Sequence, residues 1–296
     1  MESATTTGET PEMNEIGAAK PWSTPPGTQR SPAAMFDEFF AMQDAFNDGQ
    51  CHQAYWYDDE DQIPMIEASQ RLTRKVADSL RLRKGERVLD VGCGLGAPAI
   101  QLATEYGVQV TGVNFSVHQV AEAHARAQAA GLADQVTFRS VDFSSLDFPD
   151  GSFDAMVAME SLVYVNDLGH ALSGLHRVLR PGGRLALTEP TREGLSVVAA
   201  GQFATSSGAN WLLSVAEWLD PLREAGFELV EYLQCGPRVV GMGFRYLHAL
   251  DARRDELVAR FGEARVDEHR QAMESYFIRA AGQVGYAIIT VRKPLN

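Results

Sequence analysis

The chain has 296 residues, 45% of them hydrophobic, enough to bury a full α/β core as one domain with additions. A formal net charge of −13 repels phosphate backbones and argues against a nucleic-acid partner. Three cysteines (Cys51, Cys93, Cys235) form no C-x-x-C pair and no metal-ligand spacing, so no metal site is expected and a reduced, cytoplasmic setting fits.

In chain order, residues 1–32 are rich in Thr, Pro, Gly and Glu and read as a flexible tail, with folding over the active site as the alternative. They lack the basic start and apolar run of a signal peptide, and no later stretch reaches the roughly 18–20 apolar residues of a membrane span. Residues 35–48 have helical spacing; Phe36, Phe39, Phe40 and Phe46 would pack a cover helix or meet an apolar substrate. An aromatic and acidic loop follows, then an amphipathic helix over 65–82.

From there strand and helix take turns. Strands are expected at 87–91, 108–114, 136–141, 154–159, 183–189, 228–234 and 286–292, and helices near 96–106, 116–130, 167–178 and 214–226. Alternation through residue 190 implies an α/β fold, a parallel sheet with helices on both faces and ligands outside the carboxyl ends of its strands. The expected organisation is a tail (1–32), an N-terminal helical cover (33–82), a core (83–237 plus 281–296) and a helical insertion (238–280). That insertion would form a lid over a substrate pocket or simply add packing.

The stretch "VLDVGCGLGAPAIQLA" (88–103) is a short apolar strand, a glycine run and a helix start. Gly92, Gly94 and Ala97 also fit the dinucleotide pattern G-x-G-x-x-G/A. Asp90, however, sits at the mouth of the loop, where a carboxylate is unhelpful beside a pyrophosphate and suits a cationic ligand. S-adenosylmethionine has a sulfonium and an ammonium, no phosphate, and an adenosine. Asn114 ends the second strand, where dinucleotide proteins usually place an acid for the ribose. Asp142 follows the third, placed either to accept from an adenine amino group or to cap the next segment.

These residues, with "FPDGSFDAMVAMESLVYVND" and "ALSGLHRVLRPGGRLALTEP", resemble the class I S-adenosylmethionine-dependent methyltransferases over residues 50–294. Within that family the chain is similar to bacterial small-molecule O-methyltransferases of natural-product pathways, acting on sugars or polyketides. The resemblance implies a seven-stranded Rossmann-like sheet with a helical lid. It places Asp90, Gly92, Gly94 and Gly96 along the methionine part of the cofactor, Asn114 and Phe115 at the adenosine, and Asp142 with Phe143 at the adenine edge. Tyr55, Trp56 and Gln70 would help enclose the cofactor. Gln119 is a further cofactor candidate, with a solvent-exposed position as the alternative. No membrane partner is implied, and the oligomeric state stays open, a homodimer included.

On the acceptor side the resemblance puts Glu160 beside the transferred methyl group. Several sugar O-methyltransferases of this group carry paired histidines after the E-S-L of the fourth strand, whereas here Val163 and Tyr164 stand there. Three readings follow. The acceptor is already acidic or anionic; another residue (Tyr164, Glu189, His248 or His52) takes the proton; or the scaffold serves as a cyclase that keeps the nucleoside as a structural ligand. A non-catalytic sensor is a fourth, opposed by the long insertion.

Overall fold

The computed structural model describes residues 41–295 apart from 43, 46, 143, 144, 207 and 280. The expected tail, most of the 35–48 helix with its four phenylalanines, and Phe143 lie outside the described residues.

All seven expected strands form: β1 Arg87–Val91, β2 Gln109–Asn114, β3 Val136–Ser140, β4 Phe153–Met159, β5 Leu179–Arg192, β6 Glu228–Gln234 and β7 Val284–Arg292. They make one sheet in the order β3-β2-β1-β4-β5-β7-β6, with β7 antiparallel to both neighbours. Strand order reverses between β1 and β4, so the crevice at their carboxyl ends is where this architecture places a ligand. The loop after β1 holds the glycines, and the first residue after β4 is Glu160.

The helices follow from local chemistry. Helix α1 (Met65–Leu80) buries Ala68, Leu72, Val76 and Leu80 at helical spacing. Helix α2 (Ala97–Tyr106) starts from Gly96 with Pro98 in its first turn and ends at Gly107. Helices α3 (Val117–Ala129) and α4 (Leu168–Val178) are capped by the side chains of Ser116 and Asp167.

Strand alternation separates two apolar layers. Val88, Val110, Ala155 and Val157 pack with α1, α2 and α3, whereas Leu89, Val113, Met156 and Ala158 pack with α4 and with α6 (Val215–Glu224). Asp90 alternates with Leu89 and Val91 and so shares the α1 side of the sheet.

Two features differ from expectation. Helix α5 (Val197–Ser206) occupies a stretch with no expected element, because "VVAAGQFATS" is β-branched and glycine-containing. It forms where Ala200 and Ala204 are buried against the core. Strand β5 begins at Leu179, before the "RPGG" turn rather than after it, and its register with β4 shifts there. Between β6 and β7 the chain makes a single turn (Gly236–Val239), then α7 (Phe244–Ala252), α8 (Arg254–Phe261), α9 (Glu263–Glu274) and a π-helical turn (Ser275–Arg279). No helix among the described residues is long and apolar enough to cross a membrane.

Candidate active site

The glycine loop folds back onto β2: the amides of Gly92 and Cys93 both donate to the Val113 carbonyl, at 2.8 and 3.1 Å. Two of its glycines are required by geometry. Gly96 has φ 85°, and a Cβ there would lie 2.7 Å from the Phe138 ring and 2.9 Å from Ala123. Gly94 has φ 52°, and a Cβ there would sit 3.1 Å from Sγ of Cys51, so the segment before α1 closes directly onto the loop.

Asp90 is 1% exposed, and its Oδ2 has no hydrogen-bond partner among the described residues. Burial pushes its pKa up to about 7. A buried carboxylate with an orphaned oxygen and no salt bridge is costly by itself and is relieved by a cation. The donor set therefore fits S-adenosylmethionine, which brings positive charge, and is unsuited to a diphosphate.

Asn114 is buried at the end of β2, and its Nδ2 donates to Oε1 of Gln119 at 2.8 Å. Gln119 is itself buried, so the solvent-exposed alternative is set aside. Phe115 is half-buried against the α4 layer. Asp142 is exposed beyond β3, and its carbonyl accepts the Ser145 amide at 3.0 Å, a local turn. Tyr55 is buried with Lys75 Nζ 4.5 Å from its ring centroid, while the carbonyl of half-buried Gln70 accepts from Gln101 at 3.0 Å.

Across the crevice, Glu160 takes φ 52°, a left-handed conformation a glutamate adopts only at a cost of about 1–3 kcal/mol. Its amide donates to the Thr188 carbonyl at 2.8 Å. Its Oε1 accepts from the Gln53 amide at 2.6 Å and from the Tyr286 hydroxyl at 2.7 Å. The side chain is half-buried by solvent access. Desolvation pushes its pKa up to about 7 against the pull of those donors and of the Gln53 side chain, which also donates to the carboxylate.

Glu189 was expected near the acceptor, but it is 0% exposed on β5. Its Oε1 accepts the Leu162 amide at 2.9 Å, and burial, then the neighbouring Glu160 charge, keeps its pKa well above the usual carboxylate range. Sealed from solvent under the Leu162–Tyr164 turn, this carboxyl anchors the turn.

Tyr164 lies half-buried in this turn, its hydroxyl pushed above the usual phenol range by burial and by Glu160 and Glu189, so it stays protonated. His52 is buried with Nδ1 2.7 Å from the Gln53 carbonyl and Nε2 3.1 Å from Thr73 Oγ1, and desolvation lowers its pKa to about 4. It pins the segment before α1 as a neutral ring. His248 is exposed on α7, edge-on to Phe244 at 5.9 Å. Among the described residues, no cluster of three or more His, Cys, Asp or Glu could hold a metal.

Sequence reading missed Gln53, Tyr246, Tyr276 and Tyr286. The Tyr246 hydroxyl accepts the Ala54 amide, and its ring stacks on Phe277 at 4.4 Å. Tyr276 meets Phe203 of α5 at 5.6 Å. Tyr286 offered one signal, a polar tip within the apolar run "GYAIITV".

Residues 89–187 match the family described as "Methyltransferase domain". The chain is 34% identical to the 27-O-demethylrifamycin SV methyltransferase of Amycolatopsis mediterranei, over 88% of this chain and 95% of that protein. It is 32% identical to methyltransferase GfsG of Streptomyces halstedii, over 90% and 100%. The [4+2]-cyclase SpnF superposes with a TM-score of 0.78 at 33% identity, covering 89% of this chain and 96% of that one. With the sheet order, the glycine loop and these relatives in agreement, the chain belongs to the class I S-adenosylmethionine-dependent methyltransferases.

Proposed function

We propose that the protein methylates a neutral hydroxyl of a natural-product intermediate, with Glu160 as the group that takes the hydroxyl proton. The observation that carries this reading is Glu160 itself: a strained, half-buried carboxyl at the carboxyl end of β4, with a pKa raised to about 7. General bases work best with a pKa near the operating pH, and a positioned base is worth about 10²- to 10⁴-fold. Asp90, Glu160 and Glu189 form no salt bridge among the described residues, an environment that disfavours an anionic acceptor. The relative from Amycolatopsis mediterranei, named for an O-demethyl substrate, supports oxygen as the target.

Asp90 and the Gly92–Gly96 loop would hold the methionine end of the cofactor, Asn114 with Gln119 the ribose, and Phe115, Asp142 and Phe143 the adenine. Tyr55 and Gln70 would close the cofactor side. When bound, S-adenosylmethionine supplies an electrophilic methyl group, transferred with the S–CH₃ electron pair retained on sulfur. The chain's own task is to align the acceptor, exclude water and take one proton; alignment alone is worth roughly 7–11 kcal/mol. Tyr164, held protonated, would donate a hydrogen bond to the acceptor rather than remove its proton. In this reading residues 33–82 and 238–280 are cover and lid over a core of 83–237 and 281–296, working in the cytoplasm as monomer or homodimer.

A cyclase that keeps the nucleoside as a structural ligand is the second reading, favoured by the SpnF likeness. Incubation with S-adenosylmethionine and candidate acceptors separates the two. Stoichiometric S-adenosylhomocysteine with a product one methyl heavier supports methylation, whereas a rearranged product of unchanged mass sinks it. The acceptor itself is found by mass spectrometry of the intermediate that accumulates in a strain lacking this protein.

A further inference from the structure

Two donors converge on Oε1 of Glu160, the Gln53 amide and the Tyr286 hydroxyl, and Oε2 takes part in neither bond; the Gln53 side chain is a third donor to the same carboxylate. The Tyr286 side chain is 0% exposed on β7, opposite Pro190 of β5, so the sheet sets where its hydroxyl lies. The φ of 52° and the Glu160 amide bond to Thr188 fix the backbone beneath the carboxyl. With backbone and Oε1 both held, little rotamer freedom is left to lose when an acceptor arrives.

We propose that Tyr286 is the positioning residue of the proton-transfer group: with the Gln53 amide it pins Oε1 of Glu160 and presents Oε2 to the acceptor hydroxyl. The proposal rests on the reading of Glu160 as the proton acceptor. The acceptor's hydroxyl proton passes to Oε2, and the electron pair of that O–H bond stays on the oxygen that takes the methyl group.

The groups facing Glu160 are Tyr286 from β7, Tyr164 from the turn after β4, Glu189 from β5, Tyr246 from α7, Tyr276 from the π-helical turn and Cys51 from the segment before α1. Burial holds the four phenols and the thiol protonated through neutral pH and keeps Glu189 well above the usual carboxylate range. Glu160 itself is pushed up to about 7.

The test is a carbon-13 NMR titration of glutamate carboxyls in the cofactor-free protein, with Glu160→Gln identifying the Glu160 signal. Removing a donor from a carboxylate favours its protonated form, so Tyr286→Phe should raise the Glu160 midpoint by about one pH unit. 3-Fluorotyrosine at position 286, a stronger donor that keeps the hydroxyl and the fold, should lower it. The acid limb of the kcat–pH profile should move in the same direction in each variant. An unchanged Glu160 midpoint in both variants overturns the role of Tyr286. A moved midpoint with an unmoved kcat limb, or wild-type turnover in Glu160→Gln, overturns Glu160 as proton acceptor instead.

Discussion

The backbone amide of Gln53 donates to Oε1 of Glu160 at 2.6 Å, tying the segment before α1 to the end of β4. The same segment leans on Gly94 through Cys51, and its Ala54 amide reaches Tyr246 of α7. One short stretch thereby touches the glycine loop, Glu160 and the insertion between β6 and β7. Replacing Glu160 with Gln weakens a charge-assisted bond, so hydrogen exchange at the Gln53 amide should speed up. Exchange at Trp56, whose amide donates to the Arg238 carbonyl at 3.0 Å, should stay unchanged. Mass-spectrometric exchange resolved to these residues checks the tie.

Asp90 gives a prediction of opposite signs. Asp90→Asn removes the buried charge and should weaken S-adenosylmethionine binding at least tenfold, read by calorimetric titration, while stabilising the cofactor-free fold. The folded pKa of Asp90, about 7, lies above the ordinary carboxylate value, so the folded state binds the proton more tightly than the unfolded chain does. Its penalty is absent at low pH, grows as pH rises from about 4 to 7, and is constant above that. Thermal unfolding should therefore show Asp90→Asn gaining about 1–3 kcal/mol at pH 8 and little at pH 4.5.

Turnover should fall as pH drops through about 7, because Glu160 must be ionised to take a proton. Glu160→Gln should lose about 10²- to 10⁴-fold in kcat and flatten that limb. Saturating kcat measured from pH 5.5 to 9 decides it; a limb that persists in the variant would assign the titration elsewhere.

Gly96→Ala meets two obstacles, a φ of 85° and the Phe138 ring 2.7 Å from the new methyl group. Loss of at least about 2 kcal/mol of stability is expected, with cofactor affinity falling as the loop shifts. Denaturant unfolding beside a binding titration reads both effects.

Much of this protein was legible in its sequence. The seven strands and five of the helices came from period and glycine punctuation, because a parallel sheet writes short apolar runs between amphipathic helices. The positions of the glycine loop, Asp90 and Asn114 were legible for a related reason: each lies within a few residues of a strand end, β1 for the first two and β2 for the third. Helix α5 was hidden by its β-branched and glycine content, since burial of Ala200 and Ala204 outweighs intrinsic preference.

What tertiary structure alone decided is which side chains share an environment. Gln53 is 107 positions from Glu160 and Tyr286 is 126, separations at which sequence pattern carries no signal of contact. The difference in burial between Glu160 and Glu189 was equally invisible. Both were expected at a strand end near the crevice, yet one stays half-open just after β4 while the other is sealed within β5. Burial is a property of the packed whole, and it determines how far a carboxyl is open to solvent and where its pKa sits.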